Sequence, residues 1–228
     1  MKVADVLHVE RGYSRRPTPS SQLVIKHLGL VDYAPIYDAM RRFTDVRGLA
    51  TPDELWVLEH RPVYTSGVAG REEHFPRGSG IALLRIDRGG QITYHGPGQA
   101  IVYALVDLVR RGLKVRAMVT LIEQAVIDTL AAHGVAATRR DGAPGVYVGG
   151  AKIAALGLRV RRGCCYHGVA LNANMDLAPF SAIDPCGYPG LEVTQMAALG
   201  VAGGVGELGD ALAGRIARLL DREHDGRH

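Results

Sequence analysis

The stretch Val146-Tyr147-Val148-Gly149-Gly150-Ala151 predicts two extended segments joined by a two-residue glycine turn, and the second segment continues to residue 160. A glycine pair between apolar runs is a strong hairpin signal. Arg161-Arg162-Gly163 then makes a second tight connection, into another strand over residues 164–172. Two consecutive hairpins predict that this half of the chain is antiparallel.

Further strands and helices are predicted on both sides of these hairpins. Helical spacing follows Asp32, a candidate N-cap, and returns over 115–130, with Gly134 as a stop signal, and over 206–222. Residues 193–199 predict a short helix. The fold class predicted is α/β of the α+β type, with a mixed, largely antiparallel sheet flanked by helices. Strand patterns outside the hairpins cover 21–28, 55–59, 81–87 and 100–108.

The composition is that of a globular protein in a reducing compartment. Its 228 residues, of which 47% are hydrophobic and 22% charged, predict one domain over 21–228 after a flexible lead-in over 1–20. Three cysteines give no plausible disulfide framework, the first residues lack the apolar run of a signal peptide, and no stretch is long and apolar enough for a membrane span. We therefore expect a cytoplasmic protein without a membrane partner. The net charge of +4 comes from scattered arginines, so no nucleic-acid partner is expected.

One cysteine lies in a segment that favours neither helix nor strand, Asp184-Pro185-Cys186-Gly187-Tyr188-Pro189-Gly190. Its prolines and glycines predict a loop that presents the Cys186 thiol rather than packing it away. A nucleophilic thiol needs a neighbouring cation or base to populate its thiolate, and Lys152 or a histidine could serve. The alternative interpretation is a buried structural cysteine.

Two further runs are interpreted as loops after strands, 59–67 and 88–99. The second is rich in glycine and polar side chains, which predicts a binding loop, although its spacing matches neither a phosphate loop nor a dinucleotide-binding fingerprint. A zinc site is not expected, because the adjacent pair Cys164-Cys165 cannot face the same side of a strand. The polar residues expected near strand ends are His60, Tyr64, Arg88, Thr93, Tyr94, His95, Lys152, His167, Asn172 and Asp184.

Four motifs in this order closely resemble the lipoyl(octanoyl) transferase family: Arg88-Gly89-Gly90-Gln91-Ile92-Thr93-Tyr94-His95, Gly149-Gly150-Ala151-Lys152, Tyr166-His167-Gly168-Val169-Ala170 and Pro185-Cys186-Gly187. The resemblance implies a catalytic domain like that of the biotin/lipoate protein ligases. It also implies an acyltransferase without a cofactor, which moves octanoyl from octanoyl-acyl carrier protein to a lysine of a lipoyl domain. The implied acceptors are the lipoyl domains of 2-oxoacid dehydrogenases and the glycine cleavage H protein.

The resemblance also assigns residues by position. Cys186 matches the nucleophile that forms an acyl thioester, and Lys152 matches the lysine that lowers the pKa of that thiol and handles the proton. The small residues of the other segments suit a hydrocarbon chain lying against backbone. The chain departs from many members at Cys164-Cys165-Tyr166 and at Arg61. The implied acyl-site residues are Arg88, Gly89, Gly90, Gln91, Ile92, Thr93, Tyr94, His95, Ala155, Leu156, Gly157, Gly168, Val169 and Ala170.

Two other functions stay open. An ATP-dependent lipoate or biotin protein ligase would activate a free acid as an adenylate and would need no nucleophilic thiol. A non-catalytic module could dock carrier domains without performing chemistry. Pro185-Cys186-Gly187, and a sequence without the Arg-Arg-x-x-Gly-Gly-Gly run of the ligases, favour the transferase.

Overall fold

The computed structural model describes residues 22–76, 78 and 80–225, apart from the side chains of Cys186 and of residues 223–225. The predicted lead-in over 1–20 lies outside the described residues, so the division into a lead-in and one catalytic domain over 21–228 stays a prediction. Within the described part the chain forms a mixed α/β structure with two sheets, which confirms the predicted fold class.

The larger sheet has six strands in the order β1-β2-β6-β9-β8-β7. In chain order, the strands of both sheets are β1 Leu23–Val31, β2 Asp53–His60, β3 Val63–Ser66, β4 Leu83–Arg85, β5 Ile92–His95, β6 Gln99–Asp107, β7 Val146–Val148, β8 Ala151–Arg161 and β9 Cys164–Asn172. β1 and β2 are parallel, and every other pair of neighbours in this sheet is antiparallel. The prediction of a largely antiparallel sheet is confirmed.

The two hairpins follow the sequence signals closely. The turn between β7 and β8 uses Gly149 and Gly150, both with positive φ, and the turn between β8 and β9 uses Arg162 at φ 51° and Gly163 at φ 78°. Positive φ at both turn residues gives the twist that joins tightly paired antiparallel strands. β9 has the predicted bounds, and β8 extends one residue beyond them.

Three helices cover the two faces of the larger sheet: α1 Tyr33–Val46, α2 Val115–Ala131 and α3 Val205–Asp225. Because side chains alternate along β2, Leu55 packs in the core with α2 and α3, whereas Trp56 packs with α1 on the other face. Asp32 stands at the predicted N-cap, but its side chain makes no capping hydrogen bond. No helix in the described part is both long and apolar enough to cross a membrane.

Two segments interpreted as loops contain strands. β3 lies within 59–67 and β5 within 88–99, and both belong to a smaller sheet in the order β4-β3-β5. β3 is buried throughout and pairs in parallel with β4 and antiparallel with β5, so partners on both sides satisfy its backbone. The helix predicted over 193–199 was also wrong in extent, because only Ala197–Leu199 forms a single 3₁₀ turn.

Candidate active site

A cavity of about 420 Å³ lies where the smaller sheet meets β8 and β9. This volume is within the range typical of small-molecule sites. The cavity wall includes Lys152 and nearly all residues of the implied acyl site. The acyl-site residues that line it are Arg88, Gly89, Gly90, Gln91, Ile92, Thr93, His95, Ala155, Leu156, Gly157, Gly168, Val169 and Ala170.

One wall of the cavity consists of small residues on paired strands. Ala155 of β8 is opposite Ala170 of β9, and Gly157 is opposite Gly168. The loop before β5 lies across this wall, since the Gly89 N–H donates to the Leu158 carbonyl at 3.0 Å. A Cβ atom on Gly157 would come within 2.8 Å of the Gly89 oxygen, so glycine at 157 lets the loop close on the strand.

Tyr94 differs from its neighbours, because it does not line the cavity. Side chains alternate along β5, so Thr93 and His95 line the cavity while the Tyr94 ring packs on the opposite face. There its centroid lies 5.5 Å from that of Tyr64 and 5.6 Å from that of Phe180. Tyr94 therefore contributes to the core behind the site.

A chain of buried hydrogen bonds fixes His95 at the cavity. The Arg88 guanidinium donates to the Thr65 hydroxyl at 2.9 Å, which leaves that hydroxyl to donate to His95 Nε2 at 3.3 Å. On the other edge of the ring, His95 Nδ1 lies 2.8 Å from Gln99 Oε1 and acts as the donor. The Gln99 amide is oriented by a bond to Asn172 Oδ1 at 2.9 Å. Both ring nitrogens of a neutral His95 are therefore satisfied.

His60 lies behind the cavity. Its Nδ1 donates to the Val31 carbonyl at 3.0 Å, so its Nε2 accepts from the Tyr103 hydroxyl at 2.8 Å. Burial lowers the pKa of His60 to about 4. Burial, with the nearby His60, lowers the pKa of His95 to about 3. Both histidine rings are held neutral. Tyr103 and His95 line the cavity, and Tyr103 lies between the cavity and His60.

These two histidines should make folding sensitive to mild acid. The unfolded chain takes up protons near the ordinary pKa of 6.5, whereas the folded chain resists protonation to about 4 and about 3. The free energy of unfolding should therefore fall as the pH drops below 6.5, by up to about 1.4 kcal/mol per pH unit for each histidine. Urea unfolding at several pH values measures this slope, and His95→Gln should make it shallower. Equal slopes in the two proteins would contradict the assignment.

His167 also lines the cavity, although it was not assigned to the acyl site from sequence. Its Nε2 lies 3.2 Å from Asp87 Oδ1, and its ring stacks between Tyr37 and Tyr166. Partial burial opposes ionisation of Asp87, but hydrogen bonds from His167, Tyr166 and Tyr37 hold its pKa well below its usual value. His167 Nδ1 has no hydrogen-bond partner among the described residues, and the residue has φ 62°.

Lys152 is held tightly at the cavity with only 3% of its surface exposed. Its backbone N–H donates to the Glu192 carbonyl at 2.8 Å, and its own carbonyl accepts from the Thr194 N–H at 2.9 Å. Its Nζ donates to the Pro144 carbonyl at 2.9 Å and lies 5.4 Å from the centroid of the Tyr147 ring. These contacts fix both ends of the side chain.

The backbone of Cys186 lies in the 3₁₀ turn Pro185–Gly187, within the segment predicted as a loop. The Cys186 side chain is not among the described side chains, so the position of the turn relative to the cavity is taken from Pro185 and Gly187. Pro185 lies beside a small space that Lys152 and Thr93 also line. Gly187 packs on the Gln91 side chain, leaving no room for a Cβ atom at 187. The turn therefore runs along the edge of the cavity.

The other two cysteines are poor candidates for a nucleophile. Cys164 and Cys165 are both buried, and Cys165 Sγ lies 3.4 Å from the Ala104 carbonyl. Burial raises the pKa of Cys165 to about 12 and also raises that of Cys164. Thiols with raised pKa values are largely protonated at neutral pH and react slowly. Among the described residues, no group of three His, Cys, Asp or Glu side chains could hold a metal ion.

Sequence reasoning missed the lining residues that come from distant or apolar segments. Tyr188 is 45% exposed and donates from its hydroxyl to the Gly142 carbonyl at 3.3 Å, and Gly142 is exposed as well, so the cavity lining reaches the surface at these two residues. Most of the others lie on helices, central strands or connecting loops, and no local motif marks them. Apart from His167, these residues are Tyr33, Ala69, Ile101, Tyr103, Val115, Val119, Gly142, Ala143, Pro144, Leu158 and Tyr188.

A protein-family model and curated relatives both match most of this chain. Residues 35–216 match the family model described as the lipoyl protein ligase A/B catalytic domain. The chain is 60% identical over 205 residues to an octanoyltransferase from Aromatoleum aromaticum, which covers 90% of this chain and 89% of that protein.

Solved structures show the same fold at low identity. A bipartite lipoate protein ligase from Thermoplasma acidophilum gives a TM-score of 0.69 at 17% identity, covering 89% of this chain and 84% of that one. A biotin protein ligase from Aquifex aeolicus, solved with biotin and ATP, gives a TM-score of 0.57 at 13% identity, covering 90% of this chain and 73% of that one. Both similarities concern the fold alone.

Proposed function

This chain belongs to the octanoyltransferases of the lipoyl protein ligase A/B catalytic-domain family, and from that premise we propose how it works. It transfers an octanoyl group from octanoyl-acyl carrier protein to a lysine of a lipoyl domain, through a thioester on Cys186. One observation carries the proposal: Lys152 and a wall of small residues line the same cavity, and the turn that contains Cys186 runs along its edge.

The first half-reaction acylates the enzyme. The Cys186 thiolate attacks the donor thioester carbonyl, forming a new carbon–sulfur bond, and the bond to the donor sulfur then breaks. The Lys152 ammonium stabilises the thiolate beforehand and gives its proton to the departing donor thiolate. The products are a free donor thiol, an octanoyl-Cys186 thioester and a neutral Lys152 amine.

The second half-reaction releases the acyl group to the acceptor. The amine of the target lysine attacks the Cys186 thioester, and the bond between the acyl carbon and the cysteine sulfur breaks. The neutral Lys152 amine takes the proton that the attacking nitrogen loses. An amide forms on the acceptor, and the starting pair of thiolate and ammonium is restored. The same lysine therefore serves in both halves, which explains why its side chain is held in one place.

The hydrocarbon tail lies along the paired small residues of β8 and β9 in this proposal. Ala155, Gly157, Gly168 and Ala170 leave room for methylene groups against the backbone. Removing apolar chain surface from water favours binding at about 25 cal/mol per Å². We propose that octanoyl-acyl carrier protein and the lipoyl domain dock where the cavity lining reaches the surface, beside Tyr188.

Intact-mass analysis tests the proposal directly. The protein is mixed with octanoyl-acyl carrier protein in the absence of ATP, and one added octanoyl group is expected, which hydroxylamine should remove as it cleaves thioesters. If no mass increase appears, or if a hydroxylamine-sensitive adduct also forms on Cys186→Ser, the assignment of the nucleophile is wrong. Transfer of free octanoate that depends on ATP would support the ligase instead.

Narrowing the cavity should shift the preferred acyl length. Ala155→Leu adds three carbons beside Ala170, so it should raise the KM for octanoyl donors by about 10-fold or more, in the range that a few misplaced methylenes cost. A hexanoyl donor should be affected less. Steady-state transfer with donors of both lengths measures the effect, and Ala131→Leu, at an exposed position in α2, is the matched control. Equal KM changes for both donors would place the chain elsewhere.

A further inference from the structure

We infer that Glu123, a buried residue of α2, is a positioning residue for Lys152. The inference rests on the proposed function, because it concerns the lysine that serves both half-reactions. Neither the family resemblance nor the cavity lining includes Glu123. It acts through the loop over residues 142–145, which lies between α2 and Lys152.

Glu123 holds this loop from one side. Its carboxyl group is buried, with 6% of the residue exposed, and its Oε1 accepts a hydrogen bond from the Gly145 N–H at 2.9 Å. Its Oε2 lies 3.2 Å from Arg139 Nε, which fixes the orientation of the carboxyl group. A buried carboxyl group of this kind is costly to keep unless its oxygens are paired, and here both are.

Lys152 holds the same loop from the other side. The Pro144 carbonyl accepts from Lys152 Nζ at 2.9 Å. That carbonyl and the Gly145 N–H belong to one peptide group, whose two polar ends point in opposite directions. Glu123 and Lys152 therefore bind opposite ends of a single peptide plane. An acceptor on its N–H also polarises its carbonyl, which strengthens the bond to an ammonium group.

Packing leaves this peptide little freedom. Gly145 has φ 139°, a conformation that favours glycine, and a Cβ atom there would collide with Lys152 Cε and lie 3.0 Å from Nζ. The loop backbone therefore lies directly on the lysine side chain. If Glu123 no longer accepts from Gly145, the peptide can rotate, and the position of the ammonium group moves with the Pro144 carbonyl.

Three single variants separate the acceptor from the ion pair. Glu123→Leu removes the acceptor, Glu123→Gln keeps an oxygen for Gly145, and Arg139→Met removes the ion pair but leaves the acceptor. We expect Glu123→Leu to lower kcat by about 10- to 100-fold, the scale of a displacement of about 1 Å at a reacting group, with the KM for the octanoyl donor within about twofold. Glu123→Gln should keep most of the activity, and Arg139→Met, which leaves the acceptor for Gly145 in place, should lose less activity than Glu123→Leu.

The decisive measurement is a double-mutant cycle with Lys152→Met. If Glu123 acts through Lys152, Glu123→Leu should add no further loss of kcat in the Lys152→Met background, and it should shift the pH profile of Cys186 alkylation towards that of Lys152→Met. Losses that multiply, or an alkylation profile like wild type, would overturn the inference. Thermal unfolding of each variant identifies any general loss of fold.

Three further outcomes keep the test of Glu123 separate from the test of the proposed function. If Glu123→Leu does not fold, Gly145→Ala replaces it, because the added methyl group displaces the same peptide from Lys152; unchanged kcat in that variant would overturn the inference. If Lys152→Met itself transfers octanoyl normally, the proposed function fails. If Lys152→Met is inactive while Glu123→Leu behaves as wild type, only the role of Glu123 is wrong.

Discussion

Replacing Cys186 with alanine is expected to lower kcat/KM for octanoyl transfer by at least about 1000-fold, while the free energy of unfolding changes by less than about 1 kcal/mol. In the proposed mechanism no other group accepts the acyl chain, since burial raises the pKa of Cys164 and Cys165 and so disfavours their reactive thiolates. The stability should change little because the residue lies in a short 3₁₀ turn on a loop. Steady-state transfer and urea unfolding measure the two quantities.

Cys164→Ala is the matched control for this variant, and it should retain transfer. An active Cys186→Ala enzyme would show that the acyl group passes directly from donor to acceptor. A loss of stability near that of a large core deletion, about 3 kcal/mol, would instead favour a buried structural cysteine.

Lys152→Met should slow both half-reactions, by about 100-fold or more, because it removes the cation that stabilises the thiolate and the base that receives the acceptor proton. The midpoint of Cys186 alkylation should move to higher pH. Lys152→Arg keeps a cation but supplies a very poor base. Its larger head group must also fit beside Gly145, which already lies against the lysine side chain. Arginine should therefore preserve alkylation better than turnover.

The measurement is the pH profile of iodoacetamide reactivity in the wild type and both variants, together with single-turnover acylation and deacylation rates. Identical alkylation profiles in all three proteins would show that Lys152 does not set the ionisation of the thiol. A variant that loses only deacylation would restrict the lysine to the second half-reaction.

The parts of the fold that sequence predicted are those encoded by neighbouring residues. Gly149-Gly150 and Arg162-Gly163 adopt the positive φ values that join β7, β8 and β9, so the turn residues themselves specified the hairpins. β3 was missed because its four residues follow a proline, and because its strand character depends on pairing with β4 and β5. The parallel pairing of β1 with β2 also depends on distant contacts that no local pattern encodes.

The site shows the same division. Motifs identified Lys152 and the residues of β8 and β9, since these are contiguous in sequence. Tyr94 was included with its motif, although strand alternation turns it away from the cavity. Tyr33 and Tyr103 were missed because they come from a helix and a central strand whose apolar patterns indicate only burial. The role of the loop at Gly145 needs three-dimensional contacts with α2, which sequence spacing cannot provide.

The bridge between Lys152 and the segment after the cysteine turn has a consequence for effective concentration. The backbone of Lys152 is bonded to Glu192 and Thr194, and Cys186 precedes Glu192 by only six residues. A chain this short confines one reactive group to a small volume around the other, so that their encounter is unimolecular. The entropy of bringing thiol and amine together is then lost once, during folding, and not again in each catalytic cycle.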